Sequence, residues 1–187
     1  MKVFDKTTSF ILFPIYYFIH HNIIFGYFHK KFIKKFYYKK FKFNLDNLNI
    51  PLPNYSSFLF KTYEYNDKKL VEKHINKKNK CIIIGGGLGF IATLSYHLSK
   101  SKVLVLEINT DIITNLKENL KLNNCDFELI NNNLTLDKIS DYENFYLNKD
   151  FLATSQYLKT TKIQKIRNIT KEEIKNFNDY NTLIIDG

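Results

Sequence analysis

The stretch CIIIGGGLGFIATLSYH, residues 81–97, limits the possible folds more than any other. Its opening run, Cys81 to Ile84, is wholly apolar and bounded by glycine, as a buried parallel strand is. Three glycines and then a fourth, Gly89, make a turn, and residues 90–100 have helical spacing. The pattern then repeats. Residues 102–107 (KVLVLE) read as a strand, 109–124 as a helix capped by Asn109 or Thr110, and 126–130 as a third strand. Such alternation requires an α/β fold with a parallel sheet and right-handed crossovers. A helix over 66–77, capped by Asn66 or Asp67, leads into the first strand. Residues 131–160 carry no clear period. KIQKI (162–166) reads as a short strand, and a capping box of Thr170 with Glu173 opens a helix over 170–177. NTLIID (181–186) reads as a fourth parallel strand.

Ligands of such sheets lie beyond the carboxyl ends of the strands, beside the first one. The glycines fall there, where a missing Cβ lets a ligand approach the backbone. Their spacing admits several readings. Counted as G-x-G-x-x-G from Gly85, the third small position falls on Phe90. Counted from Gly87, G-L-G-F-I-A closes on Ala92 but starts two residues late. Counted as G-x-G-x-G, Gly85, Gly87 and Gly89 fit without adjustment. Glu107 ends the second strand about 20 residues after the turn, where a carboxylate can accept both hydroxyls of a ribose. Nicotinamide, flavin and S-adenosylmethionine binders share that feature, so an NAD- or FAD-binding oxidoreductase stays open at this point.

The residues after Glu107, INTDIITNLKENLKLNNCDFELINNN, resemble the FkbM family of S-adenosylmethionine-dependent methyltransferases. SSFLFKTYEYNDKKLVEKHI (56–75) is similar to the family's lead-in with its Tyr-Glu pair. NDYNTLIIDG is similar to its fourth strand. The resemblance covers about residues 56–187. It implies a Rossmann-like sheet, part of a class I methyltransferase fold, and methyl transfer to a hydroxyl of a sugar or other small metabolite. It also implies roles. Gly85, Gly87 and Gly89 would line the methionine part of S-adenosylmethionine, and Glu107 would hold its ribose. Asn109 would lie near the adenosine, and Asn131 or Asn133 would meet the adenine amine. Tyr63 and Glu64 would close over the methionine end, and Asp186 would orient or deprotonate the acceptor. Two departures stand out. Ile83 replaces an acid common in the family, and the sequence stops at Gly187, after about four of the seven strands expected. The expectation is therefore a methyltransferase domain over 51–187, incomplete at its C-terminus. A truncated, non-catalytic module is a further alternative.

Residues 1–50 read as a basic, aromatic, helical extension. Residues 1–45 hold nine Lys and one Asp, which is +8 of the net +10. The near-neutral remainder argues against a nucleic-acid groove. The 27 Lys against one Arg, with 17 Phe, 13 Tyr and no Trp, look like an AT-rich coding bias, which weakens basicity as a sign of an acidic partner. Residues 10–28 are apolar but carry Pro14 and His20-His21-Asn22, which a spanning helix disfavours. Residues 29–43 read as a helix with Phe32, Ile33, Phe36 and Tyr37 on one face and Lys30, Lys31, Lys34 and Lys35 on the other. Such a helix packs on the domain or lies peripherally on a membrane through residues 10–43. Pro51 and Pro53 mark a linker that blocks helix. Two cysteines without metal or disulfide spacing fit a reduced, cytoplasmic setting, and no metal site is expected.

Overall fold

A computed structural model of the chain describes residues 23–32, 34–46, 48, 50–137, 139–147, 154–155 and 162–186. Helix α1 (Ile23–Phe32) precedes strands β1 (Lys35–Tyr38) and β2 (Phe41–Asn44). Helices α2 (Leu52–Leu59) and α3 (Tyr65–His74) follow, then β3 (Cys81–Ile84), α4 (Phe90–Ser99), β4 (Val103–Leu106), α5 (Thr110–Leu122) and β5 (Phe127–Ile130). Next come β6 (Asn133–Leu134), β7 (Tyr142–Leu147), β8 (Thr154–Ser155), β9 (Lys162–Ile169) and β10 (Thr182–Ile185).

The central sheet has four parallel strands in the order β10-β3-β4-β5. This is a mixed α/β fold compatible with a Rossmann-like arrangement. Its two faces separate by strict alternation. Cys81, Ile83, Val103 and Val105 pack with Leu94 of α4, Leu116 and Leu120 of α5, and Val71 of α3. Ile82, Leu104 and Leu106 pack the other way, against Ile169 at the end of β9 and Ile174. Fully burying one such aliphatic side chain is worth roughly 1.5–3 kcal/mol. A second four-stranded sheet, β6-β9-β7-β8, lies in the connection from β5 to β10.

Strands 81–84, 103–106, 127–130 and 182–185 and helices 65–74, 90–99 and 110–122 fall where the periodicity puts them, although the first of these helices starts after Glu64, with Asn66 and Asp67 inside it rather than capping it. Three expectations fail. The helix over 29–43 ends at Phe32, and residues 35–44 form an antiparallel hairpin, β1–β2. Period-2 alternation prevails there: Phe36, Phe41 and Phe43 point into the core while Lys35 and Tyr37 are exposed. The linker expected around Pro51 and Pro53 is instead the start of α2. Pro53 is the second residue of that helix, where no backbone donor is needed. The helix over 170–177 is replaced by two short 3₁₀ turns, Lys171–Glu173 and Phe177–Asp179. The Thr170–Glu173 capping box forms, but Asn176 takes a left-handed φ of 59° and ends any helix. Ile174 and Phe177 are thereby laid on the second face of the sheet.

The hairpin is bound by an asparagine ladder. Asn115, Asn119 and Asn123 recur every four residues on α5 and face the open edge of β2. Asn119 Oδ1 accepts the Asn44 N–H at 2.6 Å, and Asn123 Oδ1 accepts the Lys42 N–H at 3.0 Å. Asn115 and Asn119 donate back to Asn44 O, and Asn123 to Lys42 O. Side-chain amides thus do for β2 what a neighbouring strand would, and its edge polar groups are satisfied. Asn119 Nδ2 also donates to Leu88 O at 3.0 Å, which ties the glycine turn to the same helix.

Candidate functional site

From β3 the chain proceeds to β4 and β5 on one side, and β10 returns on the other side of β3. The crevice lies where that order reverses, at the carboxyl ends of β3 and β10. The glycine turn sits in it. Gly85 has φ +87°, and a Cβ there would overlap the Asp186 carbonyl oxygen. Its bareness lets β10 come close. Gly89 precedes α4, and a Cβ there would press on Leu116 at 3.0 Å, so it serves helix packing. Gly87 differs. Its φ is +49°, and a Cβ would meet only the Tyr63 Oη, at 3.8 Å. Of the three glycines expected to line a ligand, Gly87 is the one whose bare side faces polar, unfilled surroundings.

Glu107 follows β4 and is 7% exposed. Its Oε2 accepts the Gly87 N–H at 3.0 Å and its Oε1 accepts the Asn109 N–H at 2.8 Å. Burial raises its carboxyl above the usual range, while the backbone N–H groups of Asn109, Gly87, Gly86 and Ile108 pull it back down. The Asn131 amide donates to Glu107 O at 2.6 Å and braces the strand end from behind. Asn109 caps α5, its side chain accepting from the Asp111 N–H.

Tyr63 and Glu64 reach the turn from the other side. The Tyr63 ring, 6% exposed, packs among Phe58, Phe90 and Phe36 with centroids 4.6, 5.9 and 6.1 Å away. Neither Tyr63 Oη nor Glu64 Oε2 has a hydrogen-bond partner of ordinary geometry, although both are shut off from solvent and the two groups interact electrostatically. Burial pushes the phenol well above its ordinary value, with the Glu64 charge adding to the effect. Glu64 takes a left-handed φ of 47° at the start of α3. Burial raises its carboxyl strongly, and the Asp186 charge raises it further. Asp186 follows β10, its N–H donating to Ile84 O at 2.8 Å. Its carboxyl is pushed up to about 6, mainly by burial, then by the charges of Asp67 and Glu107.

Four carboxylates, Glu64, Asp67, Glu107 and Asp186, therefore interact around one glycine turn. Glu64 and Asp186, both raised by burial and by neighbouring acids, mark a candidate site beside buried polar atoms that lack hydrogen bonds of ordinary geometry. Among the described residues no group of His, Cys, Asp and Glu is arranged to hold a metal ion.

The fold brings together Tyr63, Glu64, Gly85, Gly87, Glu107, Asn109 and Asp186, with Asn131 behind them. Asn133 is drawn elsewhere: its amide donates to Asn168 Oδ1 and Glu143 Oε2 in the second sheet. Sequence reasoning missed Asp67, which it took only as a helix cap, and Asn119. The four-residue recurrence of Asn115, Asn119 and Asn123 was the available signal for the latter.

Compared with protein-family models, curated proteins and solved structures, the chain matches none. The class defined by fold and site is thus a mixed α/β protein with a parallel sheet and an acidic glycine turn at its switch point. Among the described residues no helix is long and apolar enough to cross a membrane.

Proposed function

We propose that the glycine turn is the methyl-donor site of an S-adenosylmethionine-dependent methyltransferase of the FkbM kind, built on a Rossmann-like sheet. The observation that carries this reading is the sign of the charge around Gly87. A nicotinamide or flavin dinucleotide would place its pyrophosphate on this turn, beside Glu107 and beside Asp186, whose carboxyl, at about 6, is ionised at neutral pH. Two unit charges about 6 Å apart at an effective dielectric near 20 interact by about 3 kcal/mol. Like charges lose that amount and opposite charges gain it. S-adenosylmethionine brings a sulfonium and an ammonium to the same place, and both are cations.

The residues fit such a ligand. Glu107 is the acceptor for the two ribose hydroxyls. Tyr63 Oη and Glu64 Oε2, which make no hydrogen bond of ordinary geometry, are the acceptors for the ammonium. Gly87 gives the methionine part a backbone without a side chain, while Gly85 lets β10 come close and Gly89 holds the turn against α5. Asn109 and Asn131 stand on the adenosine side. Asn133 serves the adenine only if it leaves its partners in the second sheet. The bound donor supplies an electrophilic sulfonium methyl. Asp186, ionised at neutral pH, orients the acceptor hydroxyl and takes its proton. The acceptor is a hydroxyl of a sugar or other small metabolite.

Thermal unfolding in the presence of each ligand tests the reading. S-adenosylmethionine and S-adenosylhomocysteine should raise the melting temperature in a saturable way, the cationic donor more. A larger shift with NAD or FAD, or none with either methyl-donor ligand, would reject it.

A further inference from the structure

We propose that the pocket between the β1–β2 turn and the far end of α4 is a second ligand site, for a small amphiphilic carboxylate. The cavity measures about 330 Å³, at the small end of the roughly 300–1,000 Å³ range of ligand pockets. Its floor is apolar: Phe41, Leu94, Leu98 and the ring of His97. Phe41 and Leu94 are buried, and the His97 ring packs on Phe41 with centroids 4.6 Å apart. The His97 Nε2–H donates to Asn123 O at 2.9 Å, which fixes the ring in the wall.

The rim is basic, and it holds its lysines at a cost. Lys39 and Lys100 both line the pocket, and both have left-handed backbones, with φ of 50° and 59°. Lys39 lies in the hairpin turn and Lys100 caps α4, two places where glycine or asparagine is favoured. A side chain in that conformation costs about 1–2 kcal/mol. Lys100 holds this conformation on the rim of the cavity with its charge unpaired by a carboxylate among the described residues. Glu72, also in the lining, is taken by Lys39 at 2.7 Å and by the Tyr38 hydroxyl at 2.9 Å. Lys40 lies over the Phe41 ring at 5.6 Å. Among the described residues, Lys40 and Lys100 have no carboxylate partner. An apolar floor under two uncompensated ammonium groups matches an acyl or aryl body ending in a carboxylate. The carbonyl end of α4 opposes an anion, which is why one lysine would not suffice.

The pocket is separate from the glycine turn. Gly89 precedes α4 and Lys100 follows it, and ten helical residues at about 1.5 Å each put about 15 Å between them. The two sites therefore do not overlap.

The probe is sodium decanoate, titrated into the full chain and followed by amide chemical shifts. Saturable shifts should centre on Phe41, Leu94, His97 and Lys100. Lys100→Gly removes the charge and relieves the left-handed strain, so it should melt no lower than the parent and bind about fivefold more weakly. Lys40→Glu should weaken binding more, and Lys61→Gly, at a left-handed lysine outside the pocket, should leave it unchanged. Decyltrimethylammonium should bind more weakly than decanoate. Absence of saturable binding, shifts centred elsewhere, unchanged affinity in Lys100→Gly and Lys40→Glu, or equal affinity for the cationic amphiphile would each overturn the proposal.

Discussion

Glu107 Oε2 accepts the Gly87 N–H at 3.0 Å, so the acid that ends one strand holds the turn that ends its neighbour. The bond fixes the turn's backbone and points a buried carboxylate at the one glycine whose bare side faces the crevice. The same carboxylate is close enough to Asp186 to raise its pKa. Position and electrostatics of the candidate site thus depend on one contact.

The glycines should separate by role. Gly85→Ala forces a methyl into the Asp186 carbonyl oxygen and requires a φ of +87°. It should cost more than about 3 kcal/mol, or prevent folding. Gly87→Ala meets only Tyr63 Oη at 3.8 Å and should cost about 1–2 kcal/mol for its left-handed backbone. Urea unfolding of the two variants measures both, and equal losses would contradict the assignment.

Tyr63→Phe removes a buried hydroxyl that makes no hydrogen bond of ordinary geometry and interacts with Glu64. The unliganded protein should gain up to about 1 kcal/mol, because an unsatisfied polar group is lost and the ring packing stays. The stabilisation conferred by S-adenosylmethionine should shrink at the same time. A variant that loses stability without ligand would show that the hydroxyl is satisfied.

Asp186 carries a pH signature. Its folded pKa, about 6, lies above its ordinary value of 3.8. The stability it contributes is full below about pH 3.8 and is lost as pH rises through 6. Asp186→Asn should therefore melt higher than the parent at pH 8, and the difference should vanish by about pH 4. Calorimetry across that range checks it. A cationic ligand should bind more tightly as pH rises through 6.

The central strands and their helices were legible because burial leaves a period. Cys81–Ile84 and Val103–Leu106 are apolar on both faces, and α4 and α5 begin where glycine and Asn109 put them. The hairpin was hidden by the lysines that lead into it. Lys30, Lys31, Lys34 and Lys35 match a helical face, and the turn at Lys39 has no glycine or asparagine to announce it. Pro53 misled because a proline that breaks a helix interior is tolerated in its first turn. The residues Tyr63, Glu64, Glu107 and Asp186 could each be singled out, but their mutual electrostatics could not. That arises only when β10 returns beside β3, more than 90 residues along the chain.

Asn119 ties three elements together and has no exposed surface. Asn119→Ala would leave the Asn44 N–H and the Leu88 carbonyl without this partner. Each loss costs about 1–3 kcal/mol, so a total of about 2–6 kcal/mol is expected. The Asn44 amide should exchange with solvent faster in the variant, and unchanged exchange would contradict the ladder.

The most direct test of the central claim is isothermal titration of S-adenosylmethionine into the purified chain and into Glu107→Gln, with NAD as comparison. The account expects saturable binding to the parent protein, at least tenfold weaker binding to the variant, and no binding of NAD. Binding of NAD in preference to the methyl donor, or equal affinity of parent and variant for S-adenosylmethionine, would contradict it.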